Sequence, residues 1–148
     1  MDEAQKQIAP YWIALKTDAI SREAFDQRVN AVIDFLADCP GDLAEIAMPR
    51  NKYTFDLLRD VEHYIGDVVD DDDFVLRAIA TAVDRNVIDP ERLPFVFENS
   101  FLDDEWYVMN SPSEDINDLY ESYLRGGIEH SSFRSAIERV LAGVKSVA

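Results

Sequence analysis

The sequence contains little cysteine, little glycine and no long apolar run. Its 148 residues include one cysteine and five glycines. A single cysteine cannot form an intramolecular disulfide, which fits a reducing compartment. No apolar run approaches the roughly 18 residues that indicate a membrane-spanning helix, and the first residues are polar, unlike those of a signal peptide. We therefore expect a cytoplasmic protein with no membrane partner.

Basic residues are also scarce. Lysine and arginine total 14, against 30 aspartate and glutamate residues, so the formal net charge is −16 and the pI is about 4.3. Contact with phosphate groups requires clustered lysine and arginine, so direct binding of nucleic acid is not expected. The same reasoning disfavours binding to anionic membranes. A basic protein or a divalent cation is the kind of partner that this charge favours.

Motifs that hold cofactors or activate nucleophiles are missing. The sequence has no P-loop, dinucleotide-binding fingerprint or CxxC motif, so we expect no cofactor. Cys39 follows Asp38, whose negative charge disfavours the reactive thiolate. His130 stands beside Ser131 and Ser132, but adjacent residues seldom have the geometry of a catalytic pair, and we expect one of the serines to cap a helix instead. On these grounds we predict that the chain is not an enzyme.

Apolar residues recur at helical spacing along most of the chain. A hydrophobic fraction of 47% with 16 aromatic residues is sufficient for a core, so disorder is not expected. The spacing predicts an all-α fold, with one compact domain over residues 1–148 and about six to seven helices. The period is lost around residues 98–110, where we expect an irregular acidic-aromatic loop. No repeat of helical-solenoid length aligns within the chain.

Helix boundaries can be predicted in the first part of the chain. The best-specified helix has Ser21 as its N-cap, and its apolar pattern extends from Ile20, before the cap, to Leu36. Before it, Glu3 to Lys16 has one apolar face. Because Pro10 is unfavourable inside a helix, we expect the regular helix to begin at that residue.

A longer helical pattern follows in residues 54–69. Thr54 or Asn51 is the expected cap, and apolar residues continue at helical spacing from Leu57 to Val69. Gly66 lies within this pattern. It either weakens the helix by about 1 kcal/mol relative to alanine or marks a close contact between helices.

A run of four aspartates comes next, before the helical pattern resumes at Phe74. The run consists of Asp70, Asp71, Asp72 and Asp73. Negative charge is favourable at a helix N-terminus, so we place most of the run in a turn and the first turn of the next helix. An EF-hand needs alternating acidic ligands, a central glycine and a terminal glutamate, which are all missing. The run is therefore either a solvated helix start or an acidic surface that binds a partner.

A second acidic stretch combines carboxylates with aromatic rings. Its residues are Asp103, Asp104, Glu105, Trp106 and Tyr107. Large aromatic side chains are strong interface anchors, and acidic neighbours select a basic partner. Alternatively, Trp106 fills the core while the acids face water. The interface and core interpretations both hold if Tyr107 and the acids point outwards.

The distribution of charge leads to the first functional hypothesis. Residues 60–121 hold 18 acidic and three basic residues, whereas residues 122–148 hold two acidic and four basic ones. We expect the two acidic stretches to cover the basic active cleft of a nuclease toxin or another nucleic-acid-processing enzyme. Bacterial immunity proteins that neutralise toxic nucleases, and DNA-mimic proteins, act in this way as a class, and the analogy is one of charge and size.

Two alternatives come from other functional classes. The first is a helical adaptor or regulatory binding module. The second is an enzyme that holds a metal ion through Glu62, His63, Asp67 and the aspartate run. His63 and Asp67 are four residues apart and would share a helix face. Without a HExxH motif, and with His130 as the one other histidine, a surface ion pair is the favoured interpretation and no metal is predicted.

Overall fold

The chain folds as an all-α protein. The computed structural model describes residues 2–36, 41–47, 53–93, 95–96, 118–119, 121–123 and 125–143, without the side chains at 42, 72, 73, 137 and 140. Within these ranges the backbone forms helices and turns and no strand. The expected single all-α domain of six to seven helices is confirmed. Its extent over residues 1–148 stays a prediction, and the loop expected at 98–110 lies outside the described residues.

Six α-helices have defined bounds among the described residues. They are α1 (Glu3–Lys16), α2 (Arg22–Asp34), α3 (Gly41–Ala47), α4 (Thr54–Ile65), α5 (Asp72–Asp84) and α6 (His130–Ala142). Two 3-10 turns, Asp67–Asp70 and Pro90–Arg92, follow α4 and α5. α1 packs against α2, α4 and α5, and α3 packs against α2 and α4. α6 contacts the turn at Pro90–Arg92.

Helix α1 lies at the centre of this arrangement. Eight of its 14 residues are buried, and they include Ile8, Pro10 and Trp12. The helix begins at Glu3, because Asp2 and Gln5 form a capping box in which each side chain accepts from the other's backbone N–H at 2.8 Å. The prediction that the regular helix starts at Pro10 is therefore wrong. The capping box and the burial of α1 outweigh the roughly 3 kcal/mol that an interior proline costs.

The N-cap predicted for α2 is confirmed. The Ser21 hydroxyl accepts a hydrogen bond from the Ala24 N–H at 3.1 Å. Phe25, Val29 and Val32 are buried along the face that the apolar spacing indicates. The helix covers Arg22–Asp34, slightly less than the Ile20–Leu36 pattern, and such differences are normal at helix ends.

The helical pattern predicted up to Val69 is interrupted at Gly66. α4 ends at Ile65, and Gly66 has a φ of +102°, a conformation that side chains disfavour. A Cβ added at Gly66 would meet no atom within 4 Å, so this glycine does not mark a close helix contact. The continuous helix was the wrong prediction, because the chain turns here into the 3-10 segment Asp67–Asp70.

The start of α6 also differs from the prediction. The Phe133 N–H donates to the Glu129 carbonyl at 2.9 Å, so Glu129 is the residue that caps the helix. Ser131 and Ser132 lie exposed within the first turn of α6 instead of at the cap. Phe133 is buried at the base of the helix.

Candidate functional site

The aspartate run lies at the start of α5, as the sequence predicts. Asp70 ends the 3-10 turn, and α5 begins with Asp72 and Asp73. The carbonyl oxygen of Asp71 accepts from the Val75 N–H at 3.0 Å, which makes Asp71 the capping residue of α5. The side chains of Asp70 and Asp71 are exposed. Negative charge at this end of α5 is favourable to the helix, so the exposed Asp70 and Asp71 are compatible with folding.

The second predicted stretch lies outside the described residues. This applies to Asp103, Asp104, Glu105, Trp106 and Tyr107, and also to Cys39. Whether Trp106 is a core or an interface residue stays open, and the partner-binding role of the stretch stays a prediction.

A surface that the sequence analysis did not single out lies on the outer side of α4. We call it the α4 surface and define it as Tyr53, Phe55, Asp56, Arg59, Asp60 and His63. Tyr53 is 81% exposed and Phe55 is 70% exposed. The opposite side of α4 packs into the core through Leu57, Val61, Tyr64 and Ile65. The helix is therefore amphipathic, but its outer side carries aromatic rings beside the expected charged residues.

A groove runs along the α4 surface. It has a volume of about 670 Å³, is open to solvent and is lined by Asp56, Arg59, Asp60, Glu62 and His63. The lining contains three carboxylates, one guanidinium group and one imidazole ring. Its exposed carboxylate, Asp56, is suited to a ligand with hydrogen-bond donors and positive charge.

The side chain of the residue that caps α4 makes no hydrogen bond to the helix. Tyr53 occupies the N-cap position, and its side chain makes no capping hydrogen bond. Thr54, which we expected as a cap, is the first residue inside the helix, so that prediction is wrong for Thr54, and Asn51 lies outside the described residues. A serine, threonine, aspartate or asparagine at the N-cap is typically worth about 0.5–2 kcal/mol. The chain forgoes this stabilisation and exposes an aromatic ring instead.

Two places on or near α4 pair a cation with an aromatic ring. The Arg59 Cζ atom lies 6.0 Å from the Phe55 ring centroid. On the inner edge, Lys16 Nζ lies 5.3 Å from the ring centroid of the buried Trp12. Glu62 Oε1 accepts from both Lys16 Nζ, at 3.0 Å, and Trp12 Nε1, at 3.2 Å. The second place therefore combines a ring, a cation and a carboxylate in one cluster.

The metal hypothesis needs Glu62, His63 and Asp67 to converge. Glu62 is occupied by Trp12 and Lys16, and the turn at Gly66 places Asp67 beyond the end of α4. His63 and Asp67 therefore do not have the relation of two positions on one helix face. Among the described side chains, no three histidine, cysteine, aspartate or glutamate residues come together in a way that would hold a metal ion.

His130 belongs to a cluster of polar contacts that sequence reasoning missed. Its Nδ1 atom lies 3.0 Å from the Tyr123 hydroxyl, and its Nε2 atom lies 2.8 Å from Glu91 Oε1. Arg134 Nη1 approaches the same Glu91 oxygen at 3.5 Å. We call these four residues the polar clasp. No local sequence signal indicates it, because its members come from three separate segments.

The hydrogen bonds of His130 in the polar clasp resemble those of a catalytic base that is held in a fixed orientation. In this chain, however, the contacts connect separate segments of the structure. An imidazole that donates Nε2–H to a carboxylate and accepts at Nδ1 from a hydroxyl has both nitrogens satisfied. The Tyr123 ring is stacked on buried Phe133, with centroids 4.6 Å apart, so the hydroxyl is held in place. The contacts join the turn at Pro90–Arg92, the helical residues 121–123 and α6. Neither Ser131 nor Ser132 takes part in the contacts of the clasp.

Comparison with known proteins adds no relative. No protein-family model matches the chain, and no curated protein or solved structure shows significant similarity to it. In the described part of the chain, no helix combines the length and apolar character needed to cross a membrane. Any function must therefore be argued from the surfaces described above.

Proposed function

We propose that the chain is an acidic protein-binding inhibitor, of the immunity or antitoxin type, which covers the basic active cleft of a nucleic-acid-processing enzyme. The observation that supports this proposal most strongly is the exposure of carboxylates along α4 and the turn that follows it. Residues 53–73 contain eight acidic residues and a single arginine. Within them, Asp56, Asp67, Asp70 and Asp71 are exposed.

The charge of the chain cannot be neutralised internally. Even if each of the 14 basic residues paired with one carboxylate, 16 carboxylates would remain, which is the formal net charge. Of the ion pairs seen among the described residues, Lys16–Glu62 involves α4, whereas Arg125–Glu121, Arg134–Glu91 and Arg134–Glu138 lie outside α4 and α5. The excess of negative charge is therefore available to an external cationic surface.

Inhibition follows from competition between carboxylates and phosphates. A nuclease cleft binds the nucleic-acid backbone through lysine and arginine side chains. A rigid acidic surface that enters the cleft engages the same side chains and excludes the substrate. Attraction between opposite net charges accelerates association at low ionic strength, and salt slows it.

The proposal is tested by affinity capture from the native host at low salt, with mass spectrometry and a nuclease assay of the captured protein. The test variant is Asp70→Lys with Asp71→Lys. The matched control is Glu23→Lys with Asp34→Lys, which makes the same change in net charge at exposed positions of α2. Circular dichroism melts establish that both variants are folded.

We expect the wild type and the α2 control to capture a basic protein stoichiometrically and to suppress its activity on nucleic acid. The Asp70 and Asp71 variant should associate at least about tenfold more slowly, because long-range attraction depends on the local field. Equal association of the two variants would remove the aspartate run from the proposal. A captured partner whose activity is unchanged would favour the adaptor alternative over inhibition.

A further inference from the structure

We infer that the α4 surface is a docking site for an arginine-rich segment of the partner protein. This inference rests on the proposed function, since it assumes that the partner is basic. It extends that proposal by assigning the contact to Tyr53, Phe55 and Asp56, which belong to neither of the two acidic stretches.

The two aromatic rings at the start of α4 are exposed. Tyr53 and Phe55 expose 81% and 70% of their surface, and Phe55 lies near Arg59, which lines a groove of about 670 Å³. Scattered exposed apolar residues need no explanation, but these two exposed aromatic residues are only two positions apart at the start of one helix. Aromatic residues of this kind are enriched among the residues that dominate protein–protein binding energy.

Tyr53 occupies the N-cap position of α4. A tyrosine there makes no capping hydrogen bond, whereas a serine would. Natural sequences depart from such local rules mainly at functional sites. The choice of tyrosine is thus explained by what the ring contacts outside the chain.

The group that fits the α4 surface is a cation. Phe55 already lies 6.0 Å from the guanidinium carbon of Arg59. At Trp12 the chain shows the complete arrangement, in which Lys16 lies near the ring and bonds to the Glu62 carboxylate at 3.0 Å. Phe55 and the adjacent exposed Asp56 provide the same two elements, a ring and a carboxylate, to a cation from outside.

Arginine fits the α4 surface better than lysine. A planar guanidinium group stacks on an aromatic face and binds a carboxylate through two parallel hydrogen bonds, whereas an ammonium group acts as a compact point charge. The exposed Asp56 follows Phe55 directly in the chain, so an arginine of the segment can bond to this carboxylate while it covers the ring.

The experiment uses fluorescein-labelled nona-arginine and nona-lysine peptides as probes, with anisotropy titrations of the full chain at low salt. We expect nona-arginine to bind at least about threefold more tightly than nona-lysine. Phe55→Ala should weaken nona-arginine binding about fivefold, which corresponds to the loss of one cation–π contact. The matched control is Phe35→Ala, at an 87% exposed phenylalanine after α2, which should leave binding unchanged.

Tyr53→Ser separates binding from folding. A serine cap should raise the melting temperature by about 3 °C, while the loss of the ring should weaken nona-arginine binding several-fold. A variant that is more stable and yet binds less cannot be explained by damage to the fold. If Tyr53→Ser and Phe55→Ala both bind nona-arginine as the wild type does, the inference is overturned.

Further outcomes test the specificity of binding and separate the docking site from the proposed function. Equal binding of the two peptides, or an equal loss in Phe35→Ala and Phe55→Ala, would show unspecific attraction and would also overturn the inference. If Asp70→Lys with Asp71→Lys weakens binding of both peptides while Phe55→Ala does not, the α4 docking site fails but the proposed acidic inhibitor stands. If the Asp70 and Asp71 variant binds both peptides as the wild type does while Phe55→Ala binds weakly, the docking site stands and the aspartate run is removed.

Discussion

The α4 surface and the polar clasp both place aromatic and charged side chains at the outside of the molecule, but they differ in what those side chains contact. In the polar clasp, His130 bonds to Tyr123 and Glu91, and the Tyr123 ring packs on buried Phe133. On the α4 surface, Tyr53 and Phe55 expose most of their rings to solvent. One region uses its rings and polar groups to connect segments, and the other leaves two rings uncovered.

The two regions also differ in charge. Residues 53–73, which include the α4 surface, contain eight acidic residues and one arginine, whereas residues 122–148 contain two acidic and four basic residues. Opposite charges are interspersed in residues 122–148, and like charges accumulate in residues 53–73. Accumulated like charge destabilises a compact state through repulsion, so its retention favours a role in binding.

This difference distinguishes residues that stabilise the fold from residues that are available to bind a partner. Substitutions in the polar clasp and beneath it should change stability. Substitutions on the α4 surface should change binding and leave stability nearly intact. The following predictions test that separation, beginning with the largest expected change in the free energy of unfolding.

The largest effect is expected for Phe133→Ala beneath the polar clasp. Phe133 is 1% exposed and supports the Tyr123 ring at a centroid distance of 4.6 Å. Removing a buried phenylalanine typically costs about 3–5 kcal/mol, because transfer energy is lost and a cavity remains. Urea denaturation followed by circular dichroism measures the loss. A cost below about 1 kcal/mol would mean that α6 contributes little to the stability of the fold.

The next effect is expected for Glu62→Ala on the inner edge of α4. Glu62 accepts from Trp12 Nε1, and Trp12 is fully buried, so its indole N–H would lose its partner. An unsatisfied buried donor costs about 1–3 kcal/mol. Glu62→Gln is the matched control, because its amide oxygen still accepts from the indole. We expect Glu62→Gln to lose at most half as much stability as Glu62→Ala. Equal losses in the two variants would show that the charge of Glu62, rather than its role as acceptor, is what matters.

Sequence periodicity predicted the architecture because burial follows helical spacing in this chain. Phe25, Val29 and Val32 are four and three residues apart, and all three are buried. Ser21 caps α2 through a hydrogen bond that depends only on neighbouring residues. The aspartate run was placed correctly for a similar reason, because the helix dipole acts on charges within one turn.

The sequence predictions were wrong where the structure depends on distant residues or on backbone geometry. Pro10 lies inside α1 because the central position of that helix rewards its burial. Gly66 interrupts an apolar pattern that would otherwise continue to Val69, since the periodicity of side chains does not report a change in φ. In both cases a local rule was applied correctly but a competing contribution decided the structure.

The candidate surfaces were only partly predictable. The exposure of Asp70 and Asp71 follows from their charge, whereas the α4 surface was missed because Tyr53 and Phe55 have the composition of core residues. The polar clasp required the pairing of Glu91 with His130, which no local pattern specifies. Aromatic residues at a helix start that lack an inward position in the apolar stripe are the signal that would have indicated the α4 surface.

A smaller effect is expected within the polar clasp itself. His130 and Glu91 meet at 2.8 Å, but their side chains are 51% and 37% exposed. We expect His130→Ala to cost about 1 kcal/mol and the coupling energy between His130→Ala and Glu91→Ala to be about 0.5 kcal/mol, since exposed ion pairs are weak. A double-mutant cycle in urea measures this coupling. Zero coupling would show that Tyr123, not Glu91, is the partner that matters to His130.

The smallest change in stability is expected for Phe55→Ala on the α4 surface. Phe55 is 70% exposed, so little apolar area returns to water when the ring is removed, and alanine is a better helix former than phenylalanine. These contributions oppose each other, and the free energy of unfolding should change by less than about 0.5 kcal/mol. Urea denaturation of Phe55→Ala and Phe133→Ala under the same conditions compares an exposed with a buried phenylalanine. If Phe55→Ala lost more than about 1.5 kcal/mol, the ring would be part of the folded core, and the distinction between a surface for binding and a region for folding would fail at α4.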